Sequence, residues 1–187
     1  MGRHAQNARE AIVDAAEDVV IKVGARHLTL EAVAKQAGVS KGGVLYHFPS
    51  KEALLHAMLD RRFLRTEEKR QVRRADVPGG PGSELAAYVL SSLEQDDRKQ
   101  KLGVSLLAAA AHDPRLLLPY RDEYRRRLEE FSNDGPSLKR AAVVMLAIDG
   151  LRSMELLSLA PFSGKERNGI VEELIALSRD EDARKKE

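Results

Sequence analysis

Three helix starts crowd into about two dozen residues between Thr29 and Glu52, and nothing else in the chain limits its folding as strongly. The run reads Thr29-Leu-Glu-Ala-Val-Ala-Lys-Gln-Ala-Gly38-Val-Ser40-Lys-Gly-Gly-Val-Leu-Tyr46-His47-Phe48-Pro-Ser50-Lys51-Glu52. Thr29, Ser40 and Ser50 each stand where a hydroxyl can accept from an amide about three residues on, satisfying a group that a helix start otherwise orphans. Each such cap contributes about 0.5–2 kcal/mol. Leu28 and Val33 bracket the first cap at hydrophobic-staple spacing, and Val39 and Val44 repeat that spacing around Ser40. Gly38 ends the second helix, and Pro49 cannot continue the third. Two short helices joined by a glycine turn bury little by themselves. Such a pair serves to present its second helix to something else.

The remaining chain reads as helix throughout. Leu, Ala, Glu and Arg recur at three- and four-residue spacing, with no useful period-two alternation, so the expected fold class is all-α with about nine helices. The first helix is expected from about Asn7 to Val23, with Ile12, Ala15, Ala16, Val19, Val20 and Val23 as its apolar stripe and Gly24 as a left-handed stop. A long fourth helix, about 51–74, spans roughly 36 Å. Asp76–Ser83, rich in glycine and proline, reads as a linker. Further helices are expected at about 83–95, 98–111, 114–132, 137–160 and 164–179, with Asp113 as a cap before Pro114, and with Pro119 kinking its helix or delaying its start. The expected division is a head at 5–65, helix four as a bridge, and a body at 76–182. The charged tail beyond Arg179 is expected to fray.

Composition removes several function classes. There are no cysteines, which excludes disulfides and cysteine-based zinc, redox and nucleophile chemistry. No His-Glu-X-X-His pair exists, and no metal or cofactor is expected. His112-Asp113 is the one adjacent acid–base pair of the second half, but no nucleophile sits beside it and Asp113 already has a capping duty. An enzyme is therefore disfavoured. The start of the chain lacks an apolar core and no apolar run approaches the roughly 20 residues of a membrane span, so a cytoplasmic protein is expected. Residues 1–75 hold 14 Lys and Arg against 9 Asp and Glu, a net +5, whereas 76–187 hold 17 against 20, a net −3. That asymmetry suits a head facing nucleic acid and a body that avoids it.

Projected at 100° per residue, Val44, Leu45 and Phe48 face the other helices, whereas Gly42, Gly43, Tyr46 and His47 face outward. The two glycines fit either close approach to DNA or the ordinary tolerance of a first turn. Tyr46 and His47 can each donate to a phosphate or a base edge, and Lys51 with the amides opening helix four suits a phosphate. The stretch Ala34-Lys-Gln-Ala37-Gly38-Val39-Ser40-Lys41-Gly42, followed by Leu45-Tyr46-His47-Phe48-Pro49-Ser50-Lys51-Glu52-Ala53-Leu54, resembles the DNA-binding signature of TetR-type transcriptional regulators over about residues 8–60. The resemblance implies that Lys41–Phe48 is the recognition helix, that Tyr46 and Lys51 contact phosphates, and that Thr29 anchors helix two near the DNA backbone. Ser40, Lys41, Gly42, Gly43 and His47 complete the expected DNA-facing set. Gly43 departs from the pattern, standing where the family often has threonine, serine or alanine, so that side-chain contact is missing.

By the same resemblance the body binds an effector and dimerises. The last two long helices, about Ser137–Leu159 and Lys165–Leu177, would pair with their copies in a four-helix bundle through Leu146, Gly150, Leu151, Leu157, Ile170 and Leu174. An effector pocket among helices four to eight would draw on Tyr88, Leu106, His112, Leu116, Tyr120, Tyr124, Met145, Asp149 and Met154, a mixture suited to a moderately apolar organic molecule. Two-fold pairing is also a physical need, because one short helix reads too few bases for genomic specificity. The expected function is a homodimeric, ligand-responsive repressor of a palindromic double-stranded DNA operator, with no membrane partner. An activator of the same architecture, or a helical ligand-binding module whose head docks protein, remain the alternatives.

Overall fold

The hydroxyl caps are where the spacing puts them. Thr29 Oγ1 accepts from the Ala32 amide at 3.1 Å, Ser40 Oγ from Gly43 at 3.0 Å and Ser50 Oγ from Ala53 at 3.2 Å. In a computed structural model, which describes residues 3–92 and 97–179, these caps open the second, third and fourth of nine α-helices among the described residues. The helices are α1 (Arg3–Val23), α2 (Leu30–Ala37), α3 (Lys41–His47), α4 (Lys51–Arg74), α5 (Ser83–Ser91), α6 (Asp97–His112), α7 (Leu118–Asn133), α8 (Leu138–Leu156) and α9 (Gly164–Ser178), with 3-10 turns at Ala25–His27 and Pro114–Leu117. The expected all-α class holds. No described helix is long and apolar enough to cross a membrane.

The described residues through Leu64, together with α6 and the turn after it as far as Leu118, cluster as one compact unit. Its core joins Ile12, Val13, Ala16 and Val20 of α1 to Leu28, Val33, Val44 and Phe48, and to Leu54 and Met58 of α4. Leu102, Leu106 and Ala110 of α6 are buried too, and α6 packs on α1 and the first 3-10 turn. The residues from Arg65 to Ser92 and from Pro119 to Arg179 form the second unit. Its core gathers Leu85, Tyr88 and Val89 of α5, Phe131 of α7, five residues of α8, and Val171 and Leu174 of α9. The expected body at 76–182 differs from this unit, because α6 clusters with the head.

Several boundaries depart from expectation. Val23 is half exposed, at the end of the α1 stripe, and α1 begins earlier, at Arg3. Gly24 has φ +83° but ψ 155°, so it starts an extended link into the 3-10 turn and is no left-handed helical stop. Asp113 accepts from the Arg115 amide as a cap, and the 3-10 turn at Pro114–Leu117 defers α7 to Leu118, the late start expected of Pro119. The helix expected at 137–160 ends at Leu156. Ser158 turns left-handed at φ +57° and the Leu159 amide reaches back to the Met154 carbonyl, a tie that closes the helix. Pro161 then disfavours a helical Ala160. Residues 93–95 of the expected fifth helix, and the tail after Arg179, lie outside the described residues.

The stretch expected to be a linker, Asp76–Ser83, has an exposed middle, residues 78–81, but is anchored on both sides of it. Val77 is buried, and the Gly82 amide donates to the Asp134 carbonyl at 2.7 Å. Gly82 is left-handed at φ +77°, and a Cβ there would lie 1.8 Å from the Ser178 carbonyl oxygen. Glycine thus lets this segment touch the end of α9 directly.

Candidate functional site

α3 is seven residues long and rests on α2 through a narrow ridge. Val44 and Phe48, one turn apart, are buried. Leu45, expected inward, is 41% exposed, because a rod this short touches its neighbour along one line and the residue 100° round from Val44 is left at the rim. Val39, expected to staple onto Val44, is likewise exposed and lies beside Gly43. On the outer side Tyr46 is 75% exposed, and its ring meets the half-buried His47 edge-on with 4.9 Å between centroids. Gly42 is exposed, with Gly43 partly so. A Cβ on Gly42 would meet only Ser40 Oγ, at 3.8 Å; on Gly43 the nearest atoms would be Ser40 Oγ at 3.5 Å and Val39 Cβ at 3.7 Å.

The polar residues around α3 are already engaged. Ser40 and Thr29 use an oxygen lone pair in capping, which leaves each hydroxyl hydrogen able to donate elsewhere. Lys41 Nζ lies 2.5 Å from Glu31 Oε1 on α2, and that hydrogen bond, with the Glu31 amide and the lysine charge, holds the carboxyl below the usual glutamate range. Lys51 Nζ donates to the Arg26 carbonyl at 2.8 Å, tying the opening of α4 to the turn before α2. The first turn of α4 also carries Glu52, whose carboxylate is stabilised by its own amide and by Ser50. The expected ready-made anion cradle is therefore partly filled by the protein itself.

Behind this face, Arg61 of α4 gathers three carboxylates of α1. It reaches Glu10 at 2.6 Å, Glu17 at 3.3 Å and Asp14, and it donates to the Glu10 carbonyl at 3.0 Å. Arg61 and Glu17 are both nearly buried. This cluster escaped the sequence reading, although an acidic ridge at positions 10, 14 and 17 was its visible half.

The nine residues expected to line one pocket are divided between the two units. Leu106, His112 and Leu116 belong to the first unit, where the two leucines are core and His112 is exposed at the end of α6. In the second unit Tyr120 is buried, and Met145 is packed in the core cluster. Met154 faces solvent from the side of α8 opposite Met145 and Ile148. Tyr88, Tyr124 and Asp149 do meet. The Tyr88 hydroxyl donates to Asp149 at 2.8 Å, and Arg152 reaches the same oxygen at 3.5 Å. Burial, and then the Asp149 charge, push the Tyr88 phenol above its usual range, and the same causes act in the same direction on Tyr124, although that ring is 41% exposed. The guanidinium of the buried Arg127 lies over the Tyr88 ring at 5.7 Å. Neighbouring Arg70, also buried, bonds Glu67, Glu84 and Glu130 and stacks on Phe131.

α8 is apolar on two sides. Ala141, Val144, Met145, Ile148 and Leu151 face the core, whereas Val143, Leu146, Gly150, Met154 and Leu157 form an exposed stripe, with Leu146 at 74%. Of the residues expected at a dimer interface, Leu151 and Leu174 are core of their own chain and unavailable to a partner; Ile170 is partly buried against that core.

Comparison with known proteins agrees with this arrangement in both halves. Residues 12–58 match the family model described as bacterial regulatory proteins, tetR family, and residues 82–179 match a tetracyclin repressor-like C-terminal domain. The chain is 30% identical over 172 residues to the transcriptional regulator BetI of Paraburkholderia xenovorans, covering 84% of this chain and 86% of that one. It is 35% identical over 100 residues to the repressor BepR of Brucella suis, covering 51% of this chain and 47% of BepR. Among solved structures, the multidrug binding protein EbrR, complexed with imidazole, superposes with a TM-score of 0.68 at 26% identity, covering 95% of this chain and 93% of that one. With capped helices presenting Tyr46 at one end and a family match spanning more than half its length at the other, the chain belongs to the TetR family of helix-turn-helix transcriptional regulators and is not an enzyme.

Proposed function

We propose that this regulator is a repressor that binds a palindromic operator as a homodimer, in the bacterial cytoplasm, and releases it when a small organic molecule occupies the second unit. The observation that carries the reading is Tyr46: a large aromatic side chain three-quarters exposed on a rod capped by Ser40, where the fold has no use for it. Tyr46 donates to phosphate, Lys51 offers its two remaining protons alongside its tie to Arg26, and Thr29 and Ser40 donate their hydroxyl hydrogens. His47, beside Tyr46, reads a base edge. The exposed stripe of α8 supplies the second copy's docking face, with Leu146, Gly150 and Leu157 as contacts and Ile170 at its margin.

The effector site is drawn in to Tyr88, Tyr124, Asp149 and the adjoining Arg152 in the second unit, which offer both donors and acceptors beside the Phe131 ring. A moderately apolar molecule with one polar group suits that chemistry. The likeness to a multidrug binding protein and to a repressor supports both parts of the proposal. Release requires the ligand to bind one state of the dimer better than the other.

The test is retardation of a fragment from upstream of the protein's own gene, with a random-sequence duplex as control. Binding is expected to fall steeply with salt. Tyr46→Ala should weaken both duplexes by about the same factor, roughly tenfold, whereas His47→Ala should in addition narrow the gap between them. No sequence-specific retardation by the parent protein would favour a head that docks protein.

A further inference from the structure

From Gln36 to Ser50 the chain has one lysine or arginine, Lys41, at the first position of α3. A helix meant to lie against a polyanion therefore carries a single fixed positive charge. The fold gives that charge a partner. Glu31, one position into α2 from its opening residue, holds the ammonium at 2.5 Å, and both side chains are more than half exposed. Glu31 already serves the first turn of α2 through its own amide, and that role does not demand the pairing with Lys41. Thr29 already caps α2, and exposed ion pairs contribute at most about 1 kcal/mol to folding in general. A carboxylate beside the DNA-facing helix is also repelled by phosphates at close range.

We propose that Glu31 is a specificity-determining residue, a built-in competitor for Lys41 that suppresses binding to arbitrary DNA. The inference rests on the DNA-binding reading above. A backbone phosphate offers Lys41 much the same interaction that Glu31 already gives, so exchanging one for the other gains little on a random duplex. The acceptor pair of a guanine in the major groove, aligned only when the rest of the face is in register, rewards the exchange. Lys41 thus contributes to affinity mainly at the right sequence.

Operator DNA selected by the parent protein from a random pool, and a random-sequence duplex, are titrated with the full-length protein across a series of salt concentrations. Glu31→Gln is expected to bind the random duplex about three- to tenfold tighter. The slope of log affinity against log salt on that duplex should steepen by about one, because Lys41 then displaces a counterion. Operator affinity should change less, so discrimination falls. Lys41→Gln in the Glu31→Gln background should abolish the gain. Glu31→Asp, which keeps the charge but shortens its reach, should fall between. Unchanged random-duplex affinity and slope in Glu31→Gln would overturn the proposal. So would weakened operator binding alone, which would make Glu31 a residue that aims Lys41. Parent protein that retards neither duplex would instead bring down the DNA-binding reading and this inference with it.

Discussion

Neither Gly42 nor Gly43 has a positive φ, and a methyl on either meets its own chain only at ordinary van der Waals distance. Glycine in a helix is nonetheless up to about 1 kcal/mol less favourable than alanine, somewhat less so in the first turn. The fold gives no reason to keep the pair, and under the proposed DNA-binding reading close approach at Gly42 supplies one. Gly42→Ala, at the more exposed of the two, should therefore raise the melting temperature by a few degrees, by reducing the freedom of the unfolded chain. The same change should weaken operator binding by roughly tenfold. Calorimetry and retardation on one preparation decide it; an alanine that stabilises without loss of affinity would return the glycines to chance. How readable each residue was follows the reach of its interactions. Thr29, Ser40 and Ser50 were plain because a cap is a local bond across three residues. Arg61 and the Arg70 network were not, because all of their carboxylates except Glu67 lie far along the chain and only tertiary geometry chooses among the many available.

Helix α8 shows where periodicity stops helping. It is apolar on both sides, so its pattern could not say that Met145 and Leu151 go inward while Leu146 and Met154 stay outside. Ser158 and Pro161 end it before the expected residue 160, an irregularity that propensity alone underweights. The glycine- and proline-rich segment after α4 misled in the opposite sense. Such composition usually marks a loose connection, yet here the absent side chain at Gly82 admits the Ser178 carbonyl. Gly82→Ala must both strain a left-handed backbone and push α9 away. It should cost about 3 kcal/mol or more, read as a lower urea midpoint. A loss below about 1 kcal/mol would mean that the contact is slack. In contrast to Gly42→Ala, the loss should appear without DNA in the assay.

For the whole molecule the charge asymmetry and the family match agree: the positive first part carries the helix proposed to face DNA and the negative second part carries the polar cluster and the exposed stripe. α4 runs unbroken from Lys51 to Arg74, giving Leu54 and Met58 to the first core and Arg70 to the second unit's ion network. Leu146→Glu places a charge in the middle of the α8 stripe without touching the core. Sedimentation should show it as a monomer at concentrations where the parent is a dimer, with operator affinity reduced at least tenfold because one head reads too little sequence. A Leu146→Glu protein that stays dimeric would move the interface elsewhere. The doubly apolar α8 has one further result, visible with no DNA present. If its outer side is finished only by a twin, then thermal resistance is a property of the solution as much as of the polypeptide, and diluting the sample lowers the temperature at which it melts.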